Sequence, residues 1–425
     1  MSVDPTRMCE LLVGLHDVNV LSVVENEGRL TVTIEQPQRL TACRSCGSLA
    51  TVKDRDRLEL GDLPAFGQPV TLVWVKRRWR CPSRLCPQGS WTELDPRIAA
   101  PRCRLTRRAG LWATRQVGQQ GRPISAVAEE IALGWHAVQS ALEVYGLPLV
   151  DDPARREGVR MIGVDETAML KATPNALTRF VSTVVDIERP AVLDVFEGRH
   201  GAQLDAWLTD QPQAWKEQIE VTVCDLHEPF RNALRKHFPD AITVADPFHV
   251  VGVATRALDK VRRRVQNETL GHRGRKADPL YRAHKLLTKA AERLDEKGHA
   301  KLRGLLAAGD PDGHLHDAWL AKECVRDLYT LAADPDVAAE WLDGVIDDCV
   351  QARPPELRSM ARTLKRWRDQ ILTWHITGAS NGPTEALNLL IKKIKRVGHG
   401  FRNFNNYRLR VLLYTGDCNW NLLGH

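Results

Sequence analysis

A chain of 425 residues exceeds what one hydrophobic core usually organises, so about two to four domains are expected. With 43% apolar and 27% charged residues it reads as an ordinary globular protein, and no uncharged apolar run reaches the ~18 residues that would span a bilayer. Lysine and arginine outnumber aspartate and glutamate by 60 to 53, and the surplus is clustered at "KRRWR" (76–80), "RCRLTRR" (102–108), "KVRRR" (260–264) and in the basic segment after residue 390, a distribution that favours a polyanionic partner over a membrane.

The opening "MSVDPTRMCELLVGLHDVNV" has early acidic residues and no basic start before an apolar stretch, so a cytoplasmic location is expected. No role is assigned to residues 1–40. Ten cysteines in such a chain argue against a disulfide framework. Cys9, Cys103, Cys224, Cys324, Cys349 and Cys418 are scattered and read as buried small apolar side chains. The other four are paired as C-x2-C (Cys43, Cys46) and C-x4-C (Cys81, Cys86), spacings that let thiolates converge on one ion, with Gly47 permitting the tight knuckle. Between the pairs, "VTLVWVKRRWRC" alternates Val70, Leu72 and Trp74 against Thr71, Val73 and Val75. The expectation for 1–100 is a small β zinc ribbon, one tetrahedral Zn²⁺ on four cysteines, its basic strand facing DNA or its metal serving only to fold the module.

Residues 101–150 read as three helices. "ISAVAEEIA" is amphipathic, "LGW" is a tight turn carrying Gly134, and "HAVQSALEVYG" is a further helix ending at Gly146. As a helix-turn-helix, the last helix would present Trp135, His136, Gln139 and Ser140 to bases, while Arg107 and Arg108 of the preceding Arg-rich helix would meet phosphates; as an ordinary helical pair it would do neither.

After "VDDPARREG" the texture changes to short apolar strands. "VRMIGVDETAML" delivers Asp165 at a strand end, "RFVSTVVDI" and "AVLDVFEG" flank a turn as a hairpin, "GAQLDAWLTDQ" is helical, "IEVTVCD" ends in Asp225, "EPFRNALRKHF" is helical, and "AITVADPFHV" carries Asp246. That order suggests a mixed sheet of ribonuclease-H type with the first and fourth strands adjacent and parallel. Asp165 and Asp225 would then project side by side and repel unless a cation lay between them, and oxygen ligands suit Mg²⁺ or Mn²⁺. A third carboxylate is available at Glu385, which opens a helix after the turn "SNGPTE" and is the last acidic residue before Asp417. Lys392, Lys393, Lys395 and Arg396 follow it, and Lys392, Lys395 and Arg396 share one helix side suited to phosphates, with Arg402 beyond.

Together, the four-cysteine knuckle, "VAEEIALGWHAV", "GVDETA", "VFEGRHGAQLDAWL", "VCDLHEPFRNALRKHFPDAITVADPFHVV" and "NGPTEALNLLIKKIKRVGHGFRNFNNYRLRVLLY" make the chain resemble the bacterial insertion-sequence DDE transposases of the ISL-three family nearly end to end. The resemblance implies a multidomain α/β protein: a zinc-binding domain at 1–100, a helix-turn-helix at 101–150, and a ribonuclease-H-like core at 151–250 and 381–425 interrupted by a helical insertion at 251–380. It implies a catalytic and magnesium-binding set of Asp165, Asp225 and Glu385. It also places Asp246 and His249 in a D-x2-H signature near the active site, where His249 contacts phosphate or supports the site; a buried histidine bonded to a backbone carbonyl is the alternative. Asp246, another strand-end carboxylate, competes with Asp225 for the second position, and adjacency to the first strand favours Asp225. Cys224 stands where the family often has an apolar residue.

The implied activity is metal-dependent cleavage and joining of double-stranded DNA at terminal inverted repeats and target DNA, by a homodimer or higher assembly. The alternatives are an inert DNA-binding regulator derived from a transposase and a structure-selective nuclease.

Overall fold

The structure is a computed structural model that describes residues 14–424 except 16 and 173–176. It divides into two compact units, residues 1–155 with 390–425, and residues 156–389.

In the first unit, strands β1 (Asn19–Asn26) and β2 (Arg29–Glu35) pair antiparallel, while β3 (Thr51–Ala65) and β4 (Gln68–Arg80) form a second antiparallel pair. Both hairpins turn through two residues of positive φ, Glu27–Gly28 and Phe66–Gly67, whose twist matches that of the flanking strands. β2 joins β4 in parallel and β5 (Ser90–Thr92) pairs with β4, giving the order β1-β2-β4-β3. Val70, Leu72 and Trp74 fill the core with Ile34, Leu60 and Ile98, as their alternation requires. Residues 19–35, to which sequence reasoning gave no role, thus build two of the five strands of this sheet.

The basic end of β4 is partly neutralised within the unit. Arg77 is buried and pairs with Glu35 and Glu93, and Arg78 reaches Asp54. Arg77 is paired because a buried guanidinium needs carboxylate partners, while among the described residues Lys76 and the exposed Arg80 carry no ion pair.

Helices α1 (Arg107–Thr114), α2 (Ile124–Glu130) and α3 (Trp135–Val150) follow. The turn between α2 and α3 bends at Ala132, with φ of 53°, and Gly134 takes an ordinary extended conformation as N-cap. α3 does not stop at Gly146 but runs on to Val150. Gly146 is instead a contact point, since a Cβ there would come within 3.0 Å of Leu413.

The second unit is built on a five-stranded sheet: β6 (Met161–Leu170), β7 (Arg179–Asp186), β8 (Ala191–Glu197), β9 (Val221–Cys224) and β10 (Ile242–Ala245), in the order β10-β9-β6-β7-β8. β6 is antiparallel to β7 and parallel to β9, which is parallel to β10. Helices α4 (Gly201–Thr209) and α5 (Glu228–His237) connect these strands, and α6 (Pro247–Leu270) leaves β10. Five more helices, α7 (Pro279–Thr288), α8 (Glu296–Gly309), α9 (His314–Leu331), α10 (Pro335–Gln351) and α11 (Pro355–Arg366), carry the chain onward without a strand, and their apolar faces share one core with the sheet. The "KVRRR" run lies on α6, where Arg262 and Arg263 pair with Asp259, and Arg264 with Glu356 and Glu268. α12 (Gly382–Val397) begins in this unit, and its residues from 390 belong to the first, as does α13 (Phe404–Thr415).

Among the described residues no helix is long and apolar enough to cross a membrane.

Candidate catalytic site and metal centre

Two clusters carry chemistry. In the first unit, the knuckle Cys43–Cys46 closes through Gly47 N–H donating to the Cys43 carbonyl at 2.9 Å, with Gly47 at φ of 74°. Cys81 N–H donates to the Gly89 carbonyl at 2.9 Å, and Cys86 N–H to the Ser83 carbonyl at 3.2 Å, folding the second pair toward the first. Sulfur atoms of Cys43 and Cys86 lie 3.6 Å apart, those of Cys46 and Cys81 3.4 Å apart, and all four lie within 4.8 Å of one another. Tetrahedral Zn–S bonds of ~2.3 Å place sulfurs ~3.8 Å apart, so the donor set fits such an ion. Hydrogen bonds from Ser48 hold the Cys46 thiol down to about 6, whereas burial pushes Cys81 up to about 12.

In the second unit, Val164 of β6 and Cys224 of β9 are partners in the parallel register, so Asp165 and Asp225 are the next residues along neighbouring strands. β9 stops there while β6 continues to Leu170, with Asp165 paired to Thr183 of β7. Asp165 is therefore mid-strand, at the point where its parallel neighbour ends, and its side chain is only 8% exposed. Burial first, and then the charge of Asp225, push its carboxyl up to about 6, against the opposing effect of the Glu166 N–H that donates to it at 2.7 Å. This is what two carboxylates sharing a low-dielectric niche do when burial and mutual repulsion outweigh the nearby imidazole of His249.

His249, on the first turn of α6, holds Asp225 through Nδ1. Burial lowers the His249 pKa, but its bond to Asp225 and the charges of Asp225, Asp246 and Asp165 outweigh that and raise it. Asp246 caps α6: its side chain accepts from His249 N–H and, at 2.9 Å, from the backbone N–H of Asn381. Both its oxygens are thus engaged in holding backbone.

α12 and the residue before it meet β6, the central strand, through Asn381 and Asn388, with Thr384 bracing Asn381. Asn381 Nδ2 donates to the Val164 carbonyl at 3.2 Å, Thr384 Oγ1 donates to Asn381 Oδ1 at 3.2 Å, and Asn388 Nδ2 donates to Asp165 Oδ2 at 2.5 Å. The close approach depends on Gly163, where a Cβ would sit 2.5 Å from Asn381 Oδ1 and 2.8 Å from Thr384 Oγ1. Glu385 shares the helix side of Asn381 and Asn388, four residues after one and three before the other, but it is exposed to solvent. Among the described residues, the four cysteines are the group of candidate ligand atoms gathered within 4.8 Å; the three acidic residues are not drawn that close. Asn388, Asn381 and Gly163 escaped sequence reasoning, because nothing local marks an amide that reaches a strand more than two hundred positions away.

The expected DNA contacts fall into two sets. Lys392, Lys393, Arg396, Arg402 and His136 are exposed, Lys393 lying over the Tyr414 ring and bonded to its hydroxyl; Lys395 is half-buried. Arg108 instead pairs with Asp62, Arg107 reaches the Leu423 carbonyl at 3.4 Å, and Gln139 is buried, donating to Glu143 at 2.9 Å and Asn406 at 3.1 Å. Gln139 is thus held against α13.

A sequence model of a transposase family, the ISL3 type, matches residues 162–411, and one for the zinc-finger of the IS204, IS1001, IS1096 and IS1165 transposases matches residues 39–86. Among curated proteins, the transposase for insertion sequence element IS1557 of Mycobacterium tuberculosis is 28% identical over 299 residues, covering 66% of this chain and 65% of the relative, just under two thirds of its length. The transposase for IS1001 of Bordetella parapertussis is 24% identical over 398 residues, covering 91% of this chain and 92% of the relative.

Proposed function

Since the chain belongs to the ISL3 transposase family, we propose that it is the transposase of a bacterial insertion sequence, cutting DNA at terminal inverted repeats and joining the freed ends to target DNA. The observation that carries this reading is the juxtaposition of Asp165 and Asp225 on neighbouring parallel strands, with Asp165 buried and its carboxyl raised toward neutrality.

The strand order β10-β9-β6-β7-β8, antiparallel on one side of β6 and parallel on the other, supports a ribonuclease-H-like core. The α2–α3 pair supports a helix-turn-helix, and the domain scheme is a zinc ribbon, that helical module, the sheet core, and an insertion from α6 to α11. The four cysteines would hold a structural Zn²⁺. Asp165 and Asp225, joined by Glu385 on docking DNA, would hold Mg²⁺ or Mn²⁺, which when bound supplies positive charge at the scissile phosphate and a more acidic water.

Around that site, Asn388 fixes the Asp165 carboxylate, His249 fixes Asp225, and Asp246 anchors the start of α12. Hydrolysis of a phosphodiester releases a 3′-hydroxyl and a 5′-phosphate; attack of that 3′-hydroxyl on a target phosphodiester forms the new bond and expels a target 3′-hydroxyl. Lys392 and Arg396, exposed on the basic part of α12, suit phosphate contacts along the strand. The partner is double-stranded DNA, the location the cytoplasm where bacterial DNA lies, and the assembly a dimer or larger because two element ends are processed together.

The test is Mg²⁺-dependent nicking of a labelled repeat end by Asp165→Asn. Lost nicking with retained DNA binding supports the assignment, and retained nicking refutes it. Wild-type nicking without joining to a supercoiled plasmid would instead identify a nuclease, and binding without nicking a regulator.

A further inference from the structure

Within the first unit, the starts of α2 and α3 and the segment between α12 and α13 enclose a cavity of about 410 Å³, lined among others by Trp135, Gln139, His399, Phe401, Arg402 and Arg410. That volume lies in the range of ligand sites. Arg410 is 2% exposed, and its contacts are few: one Nη donates to the Arg122 carbonyl at 3.2 Å, the guanidinium lies 5.9 Å from the Phe401 ring, and Nε has no partner. Among the described residues no carboxylate pairs with it. Burial alone pulls its pKa down to about 10, which still leaves it charged at neutral pH.

A buried cation without a counter-charge is costly to a fold, and the chain places one in the lining of a cavity. The other buried arginine of this unit, Arg77, has two carboxylates. Arg402, exposed, is a second cation in a lining that is otherwise uncharged polar or apolar apart from His399, and among the described residues no Asp or Glu lines the space. The sixteen-residue α3 also opens here without a side-chain cap, leaving its first N–H groups available.

We propose that this cavity is a phosphate site in which Arg410, assisted by Arg402 and the start of α3, takes a backbone phosphate of the DNA on which the protein acts. The identity of the phosphate's source rests on the function proposed above; the anion site itself does not. It also gives the buried Gln139 a role, since its Asn406 bond and its position on α3 shape the cavity wall rather than read a base.

The experiment uses the full chain. Thermal melting is compared in chloride and in sodium phosphate at equal ionic strength, and binding of a short labelled duplex is followed across a salt series, for wild type, Arg410→Met and Arg402→Gln. Phosphate should raise the melting temperature of wild type, raise it less for Arg402→Gln, and leave Arg410→Met unmoved. Arg410→Met should melt no lower than wild type in chloride, bind duplex at least about tenfold more weakly, and show a salt slope smaller by about one. Phosphate protection with unchanged duplex affinity would overturn DNA as the source and assign the cavity to free phosphate or a nucleotide. If wild type binds no duplex, the function proposed above fails while the phosphate arm still decides the cavity. No phosphate effect together with a lower melting temperature for Arg410→Met would overturn the proposal and make Arg410 a structural donor to Arg122.

Discussion

The four cysteines are gathered as a metal site, whereas the acidic residues around Asp165, proposed above as a second one, are only partly brought together. The thiols converge because a short knuckle and a hairpin end, some forty residues apart, bring them together through backbone bonds at Gly47 and Gly89. The carboxylates come from β6, β9 and α12; two meet through strand register, and the third stays exposed on a helix that docks by amides. A structural site has to be complete for its module to fold, whereas a catalytic site gains by keeping one ligand to be placed with the substrate.

The largest expected effect lies on the cysteine side. Cys43→Ala should abolish zinc retention and unfold the ribbon around residues 39–92, read as metal content and protease sensitivity; structural zinc contributes on the order of 10 kcal/mol to such modules. On the acidic side, removing a ligand should do the opposite to the fold. Asp165→Asn is expected to lower DNA cleavage at least about a thousandfold while raising the metal-free melting temperature, since a buried carboxylate beside Asp225 no longer needs to ionise. Equal melting of the two proteins would break the contrast.

Gly163→Ala should rank next. Its methyl group would meet Asn381 and Thr384, costing about 1–3 kcal/mol by overpacking and displacing the start of α12, so that cleavage falls with stability. Asn388→Ala should cost about 10- to 100-fold in metal affinity or rate with little change in melting, as for other residues that orient a ligand.

The smallest effect is a pH dependence. The folded Asp165 carboxyl, at about 6 against an ordinary 3.8, binds more protons than the unfolded one between those values. Metal-free stability should therefore fall as pH rises from roughly 4 to 6. A divalent cation must displace that proton, so stabilisation by Mn²⁺ should be present above about pH 6 and fade below it. In the cysteine cluster, stabilisation by zinc should likewise fade in acid, through protonation of thiolates.

Much of the second unit was legible because its strands are short apolar runs bounded by turns; hairpin, helix and parallel neighbours all lie as the pattern demands, although β6 runs five residues past Asp165. Asp246, another strand-end carboxylate, caps α6 and accepts from Asn381, contacts that its sequence position does not show. What could not be read depends on contacts between distant segments. Gly163 looks like any strand glycine until α12 lies against it, Gln139 shows no sign of its bond to Asn406, and Gly146 looks like a helix stop until Leu413 packs on it. The basic runs likewise have partners that the sequence does not show: Arg77 of "KRRWR" pairs with Glu35, and in "KVRRR" Arg262 pairs with Asp259 of its own helix and Arg264 with Glu356 of α11.

The most direct test of the central claim is the anomalous diffraction of Mn²⁺ in crystals of the protein bound to a cleaved DNA end. The account expects manganese held by Asp165 and Asp225, with a Glu385 oxygen at roughly 2.1 Å from the ion. Manganese bound to the two aspartates in an active complex, with Glu385 still turned to solvent, would contradict it.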